Sequence, residues 1–339
     1  MYDNTRKLIR HFTEDGTLPG ASYAFINQQE IRQYREGLAA MIPRKEPIKE
    51  NQQYDVASLT KVMLTTTVIL QLLENRILAL DASVQTYLPD FSASQVTLRH
   101  LLTHTSGLNG FIPNRNALSA SELKAALLNL PVEDICGTKV KYTDTNMILL
   151  GYIIESIENE TLSVVFEKRI MVPLNLLDST FHPADPAQCA PTESQPDRGV
   201  IRGEVHDPKA LVLGDHCGSA GLFSTLNDVL RFSQMLLQKG QLEGVRILQE
   251  STVEQLTRDW TPSGKLERSL GWDLTIRKQG RYLFHTGFTG TFILLDIKKQ
   301  TAFVFLSNRV HPTSDTPTYL KKRDQLIETY FSEKEVEWL

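Results

Sequence analysis

Hydrophobic positions along this chain switch between helical and strand spacing. Across residues 3–14 they recur at helical intervals through Leu8, Ile9 and Phe12, and Gly16 closes the run, so a first helix is predicted. Residues 21–26 and 31–34 then read as two strands about Asn27-Gln28-Gln29-Glu30, the grammar of a hairpin. Residues 41–53 are polar, carry Pro43 and Pro47, and form a connecting loop. Next comes an almost unbroken apolar run over residues 62–80. Leu64, Val68, Ile69, Leu72 and Leu73 fall at helical spacing while Met63, Leu70 and Ile77 fill the other faces, so this helix is apolar nearly all round and must be buried.

Beyond it, residues 84–88 form a short segment stopped by Pro89, and residues 96–107 predict a short helix capped by Thr97 and ended by Gly107. Helical spacing returns at residues 121–130, 146–158 and 162–174. Residues 178–221 are rich in Pro, Asp, His and Gly without periodicity, and are expected to form a long irregular loop of functional use. Thr225 with Asp228 three residues on makes a capping-box pattern for a helix over 226–237, and another helix is predicted at 251–258. The pattern then turns to strands at 271–277, 282–286, 291–296 and 302–308 with short turns between, an antiparallel meander, before a last helix at 318–331.

This order implies an α+β fold of the sandwich type. Residues 1–80 and 250–339 would share one antiparallel sheet flanked by helices, residues 81–249 would form a mostly helical insertion, and a cleft would lie between them. The all-apolar helix would back onto the sheet and open its N-terminus into that cleft.

Composition narrows the function. The 339 residues are 41% hydrophobic, and Lys+Arg 36 against Asp+Glu 40 give a net charge of -4 with no basic cluster. No nucleic acid or anionic membrane is expected as a partner; a small molecule or short peptide suits the chain better, and the sequence gives no oligomeric state. The first ten residues lack the apolar core of a signal peptide, and the 62–80 run is broken by Thr65, Thr66, Thr67, Gln71, Glu74, Asn75 and Arg76, so a cytoplasmic protein without a membrane segment is expected. Cys136, Cys189 and Cys217 are scattered and odd in number, which points to neither disulfides nor zinc. His100 and His104 stand four apart, but Leu101 occupies the place where a zinc protease needs its glutamate; the pair is read as structural, and no metal or cofactor is expected.

Candidate chemistry begins with Ser58-Leu59-Thr60-Lys61 at the head of the buried helix. A serine and a lysine one turn apart set a hydroxyl and an ammonium on one face of a helix N-terminus; the bland alternative is a cap serine and a solvated lysine. Two later elements decide between these readings: Lys141-Tyr142-Thr143-Asp144-Thr145-Asn146, and Phe284-His285-Thr286-Gly287-Phe288-Thr289-Gly290. The ordered set S-x-x-K, a variant of Y-x-N, and H-x-G in place of K-T-G resembles the penicillin-recognising serine hydrolases, in the branch of class C β-lactamases, D-Ala-D-Ala carboxypeptidases and related esterases. The segments 97–108, Gly203-Glu204-Val205-His206-Asp207 and 218–225 resemble members of that family as well, and the match spans roughly residues 18–310.

The resemblance implies a β-lactamase/transpeptidase-like fold and an acyl-enzyme on Ser58, with Lys61 and Tyr142 relaying its proton to the leaving group. It implies an oxyanion hole from the backbone N–H groups of Ser58 and Phe288, each donor typically worth about 3 kcal/mol of barrier. Lys61, partly desolvated at a helix N-terminus, is expected to titrate low enough to serve as a base. Gly287 is expected to let the strand edge approach a substrate that pairs along Thr286 as an added strand.

Two departures bear on specificity. Asp144 stands where many relatives have Asn, and is expected to hold Lys61 and repel anions; His285 stands where they have Lys, so its charge is expected to be weak and pH-dependent. Both point away from an efficient β-lactamase and toward an ester, or an amide without a free carboxylate beside the scissile bond, unless Arg309 supplies an anchor. His206 is a candidate for the pocket wall, and His216 a weaker one. The alternatives are a peptidase or amidase acting on cell-wall fragments, a weak β-lactamase, and a binding or sensing homologue without turnover.

Overall fold

The computed structural model describes residues 2–337. Its sheet joins both ends of the chain. Among the described residues seven strands lie in the antiparallel order Asp273–Arg277, Gly280–Thr286, Phe292–Asp296, Thr301–Ser307, Gly20–Asn27, Glu30–Ala40 and Glu46–Pro47. The hairpin at the start meets the meander at the end because Gly20–Asn27 pairs with Thr301–Ser307, with Tyr23 opposite Phe305 and Ala24 opposite Val304.

That register sorts the side chains by size. Tyr23, Phe25, Phe303 and Phe305 point to one face, where the helices Asp3–Glu14 and Thr316–Glu337 cover them with Ile9, Phe12, Leu326 and Tyr330. Ala24, Ile26, Val304 and Leu306 point to the other face, against the buried helix and the helical middle of the chain, and one continuous apolar cluster runs through all three. A strand buried on both faces is apolar along its length, and Thr301–Ser307, all buried, is apolar throughout except at its two ends.

The buried helix is shorter than its apolar run. It opens with a π-helical turn, Lys61–Thr65, and continues as an α-helix over Thr66–Glu74. Arg76 takes a left-handed conformation with φ 57°, which ends the helix and leaves Ile77 about half exposed beyond it. The helix predicted at 96–107 likewise covers only Leu98–Leu102. Thr97 accepts from the His100 N–H at 3.4 Å and the His100 Nδ1 accepts from the Thr97 N–H at 3.2 Å, so His100 is spent on the cap. Left-handed His104, φ 53°, stops further winding. At 225 the box closes on one side only: Thr225 accepts from the Asp228 N–H, but the Asp228 carboxylate takes the Asp178 N–H at 2.9 Å and the Ser179 hydroxyl at 2.8 Å.

The 178–221 segment is largely irregular, yet among the described residues it holds one α-helix the sequence reading missed, Pro208–Leu213. Asp207 caps it by accepting from the Lys209 and Ala210 N–H groups at 2.9 Å, and Pro208 at the first position presets its backbone. The end of this segment is pressed onto the helix Asp144–Glu158: a Cβ on Gly218 would lie 2.3 Å from the Met147 carbonyl oxygen, and the Gly218 carbonyl accepts from Thr65 Oγ1 at 2.6 Å. Among the described residues no helix is long and apolar enough to cross a membrane. The close approach yields a prediction: Gly218→Ala should destabilise the protein by about 1–3 kcal/mol, seen as a lower urea midpoint with unchanged slope.

Candidate active site

Ser58 is presented by a strained turn. The strand Tyr54–Asp55 pairs with Phe223–Ser224, and two residues later Ala57 adopts φ 48°, a left-handed conformation that a residue with a Cβ resists. Buried Asp55 holds the turn: its Oδ1 accepts from the Ala57 N–H at 2.8 Å and its Oδ2 from the His206 N–H at 2.8 Å. Burial pushes this carboxyl above its ordinary range, against the opposing pull of those two donors. From the other side Thr289 Oγ1 donates to the Asp55 carbonyl at 2.7 Å and Thr291 Oγ1 to the Val56 carbonyl at 3.0 Å, which ties the His285 strand to the same turn.

Lys61 is wholly buried, and its ammonium donates to Ser58 Oγ at 2.7 Å and to the Ser219 carbonyl at 2.7 Å, and pairs with Asp144 Oδ1 at 2.9 Å. Its Nζ lies 5.4 Å from the centre of the Tyr142 ring. The expectation that Lys61 titrates low is reversed. Burial does pull the ammonium down, but the Asp144 carboxylate, with Tyr142 beside it, outweighs burial and holds the lysine above its ordinary value.

Asp144 begins its helix, where the dipole favours a carboxylate, and it touches two cations rather than one. Lys209 Nζ sits 2.8 Å from its Oδ2 and 3.5 Å from Asp207 Oδ2. Burial pushes the Asp144 carboxyl up, yet Lys61 and Lys209 together draw it well below the usual carboxylate range. The Asp144 charge is thus countered from both sides. Sequence reasoning missed Lys209, although the Asp-Pro helix start just before it was a readable signal.

Behind Tyr142 the His104 ring packs at 4.5 Å; its Nδ1 accepts from Asn146 Nδ2 at 3.0 Å, and its carbonyl accepts from the Lys141 N–H at 2.8 Å. His104 thus anchors the Tyr142 loop. His285 differs from its expected part. It is 2% exposed, its Nδ1–H donates to the Thr286 carbonyl at 3.1 Å, and burial with the nearby charges of Lys61 and Arg268 keeps it neutral well below its ordinary value. It supplies no charge near neutrality.

Gly287 is needed for a different contact than expected. A Cβ there would lie 2.2 Å from Thr291 Oγ1 and 2.5 Å from the Val56 carbonyl, so the glycine lets the strand edge press on the Ser58 turn itself. Among the described residues, neither the Ser58 nor the Phe288 backbone N–H is spent on an acceptor within the protein. Pairing of the strand Gly280–Thr286 with its outer neighbour ends at Phe284 opposite Asp273, which leaves His285 and Thr286 paired only on the Phe292 side.

The cleft these groups line measures about 700 Å³ and takes in Ser58, Tyr142, Asp144, His206, Lys209, Arg268, His285, Thr286 and Phe288 among its walls. His206 stacks on Phe288 with ring centres 5.5 Å apart and pairs with Glu193 at 3.2 Å. Arg309 is not in the cleft wall. Its Nε donates to the Phe288 carbonyl at 2.8 Å, its Nη1 to Ser314 and Thr316 at 2.9 Å, and its guanidinium covers the Phe288 ring. It clamps the turn after Gly287 instead of anchoring substrate. His216 pairs with Glu155 at 2.6 Å and faces a separate hollow.

With this geometry in view, the comparisons give the family. The model of the Beta-lactamase family matches residues 5–326, and the chain belongs to that family of serine hydrolases. A Salmonella agona (strain SL483) protein named "Putative D-alanyl-D-alanine carboxypeptidase" is 30% identical over 311 residues, covering 79% of this chain and 72% of its own. The fold is also that of a class C beta-lactamase (TM-score 0.79, 22% identity, 97% and 95% of the two chains covered) and of EstCE1, a hydrolase with promiscuous acyltransferase activity (TM-score 0.74, 20% identity, 95% and 97% covered).

The ion cluster makes a pH prediction. The Asp144 carboxyl is lowered in the folded protein, so its stabilisation is present above the unfolded value near 4 and fades as pH falls through the folded value. Asp144→Asn should cost about 2 kcal/mol at pH 7, discounted for the quarter of its side chain that is exposed, and urea unfolding should show the gap to wild type narrowing below about pH 4.

Proposed function

We propose that this protein hydrolyses a small ester or amide through an acyl-enzyme on Ser58. The observation that carries the reading is the 2.7 Å contact from the buried Lys61 ammonium to Ser58 Oγ, at a turn whose own N–H faces no protein acceptor. Ser58 Oγ attacks the substrate carbonyl and forms a C–O bond. Its proton enters the Lys61–Tyr142 pair, which receives it in the form that holds one proton fewer than a Lys61 ammonium beside a Tyr142 phenol. The oxyanion is held by the Ser58 and Phe288 N–H groups. When the bond to the leaving alcohol or amine breaks, the proton passes from the pair to the departing atom; water then cleaves the acyl ester and restores Ser58.

The unpaired edge at His285 and Thr286 supports a substrate laid along the strand, and His206 stacked under Phe288 would form the wall beside it. The carboxypeptidase name carried by the Salmonella relative supports an amide of an amino acid as well as an ester. A reducing, cytoplasmic site of action suits the three free cysteines.

Labelling tests this directly. A fluorophosphonate should add one adduct to the wild-type intact mass and none to Ser58→Ala, and Tyr142→Phe should lower kcat on p-nitrophenyl butyrate by about a hundredfold to ten-thousandfold. An adduct that persists in Ser58→Ala would overturn the assignment.

A further inference from the structure

Asp144 presents two carboxylate oxygens, and each meets a different cation. Lys61 Nζ lies 2.9 Å from Oδ1 and Lys209 Nζ 2.8 Å from Oδ2. The two lysines differ in what else they touch. Lys61 reaches Ser58 Oγ, whereas the second partner of Lys209 is Asp207 Oδ2, at 3.5 Å. Among the described residues the Lys209 ammonium therefore reaches Lys61 and Ser58 only by way of Asp144.

Its place is fixed by the backbone. Asp55, which holds the Ser58 turn through the Ala57 N–H, also accepts from the His206 N–H at 2.8 Å. The residue after His206, Asp207, accepts from the Lys209 and Ala210 N–H groups at 2.9 Å and starts the helix Pro208–Leu213. One buried carboxylate thus sets both the Ser58 turn and the root of the helix that carries Lys209. The Lys209 side chain is 12% exposed and lines the same cleft as Ser58. None of these backbone bonds uses its ammonium, so the helix start does not depend on it.

A carboxylate alone beside Lys61 would hold that ammonium charged and raise the cost of moving a proton from Ser58 into the Lys61–Tyr142 pair. Lys209 opposes this, because its charge offsets the pull of the carboxylate. Burial works against the Lys209 ammonium, as does Arg115 nearby, but Asp144 and Asp207 outweigh both and hold it above its ordinary value. Of the other groups facing Lys61, Tyr142 favours the ammonium, while His104 and His285 stay neutral with Arg268 beside them. Lys209 is thus the second cation on Asp144.

We propose that Lys209 is a positioning residue for acylation: by sharing Asp144 it loosens that carboxylate's hold on Lys61 and keeps the Lys61–Tyr142 pair able to take the Ser58 proton near neutral pH. This rests on the acyl-enzyme reading of Ser58.

The test is kcat/KM on an uncharged ester, p-nitrophenyl butyrate, per active site counted from the fluorophosphonate adduct in the intact mass, which discounts any unfolded fraction. Lys209→Gln should lower it about tenfold at pH 7 and move the rising limb of its pH profile up by about one unit, because the unshared carboxylate draws the proton more firmly onto the pair. Adding Asp144→Asn should then raise the rate about threefold or more above Lys209→Gln, since the unbalanced carboxylate is gone. An ion pair that only braced the cleft would leave the double variant no faster than the single one. A Lys209→Gln rate within about twofold of wild type at pH 7, or a double variant no faster than Lys209→Gln, overturns the proposal. The acyl-enzyme reading fails separately, if wild type takes no adduct on Ser58.

Discussion

The structure turns on one buried ammonium. Lys61 has no access to water, so every direction its protons point must meet an acceptor: Ser58 at the head of its own helix, Ser219 from the long loop, and Asp144 from the helical middle of the chain. Three segments far apart in sequence are thereby held at one point. The left-handed Ala57, the Gly218 approach to Met147 and the Asp144 helix start each place one of these acceptors. An unpaired ammonium at this depth would cost several kcal/mol, and this is the reason the loop and the two helices must dock in one arrangement.

A second constraint fixes the opposite wall. The Ser58 turn and the His285 strand are bound together through Asp55, Thr289 and Thr291, with Gly287 removing the Cβ that would hold them apart. Arg309 then clamps the turn at Phe288 from outside. The two N–H groups assigned to the oxyanion are therefore set by a network that does not itself face the substrate. Preorganisation of this kind is what lets such donors act without reorganising during reaction.

The sheet, its pairing of chain ends and the Ser58–Lys61 motif were readable because they rest on local signals: short apolar runs at 292–296 and 301–307 split by a polar turn, the apolar ring of the buried helix, and S-x-x-K. What was not readable was charge. The neutral state of His285 and the raised titration of Lys61 depend on burial and on neighbours more than eighty residues away, Lys61 in the first case and Asp144 in the second. The helix 208–213 was overlooked because at six residues it has too few positions to show a period, although Asp207-Pro208 marks its start. Arg309 looked like an anchor from its place after the last strand, but its side chain turns back onto the Phe288 turn.

The two positions at which this chain departs from its relatives are thus each answered by a second residue. The carboxylate at Asp144 is shared by Lys61 and Lys209, and Asp207 beside Lys209 completes a cluster of two cations and two anions. The histidine at 285 removes a positive charge from the strand edge, and Arg268 lies buried next to it with Asp273 satisfying only one end. The charges nearest Ser58 are therefore balanced by groups drawn from segments far apart in the chain, beside an edge of the sheet that its outer strand leaves open.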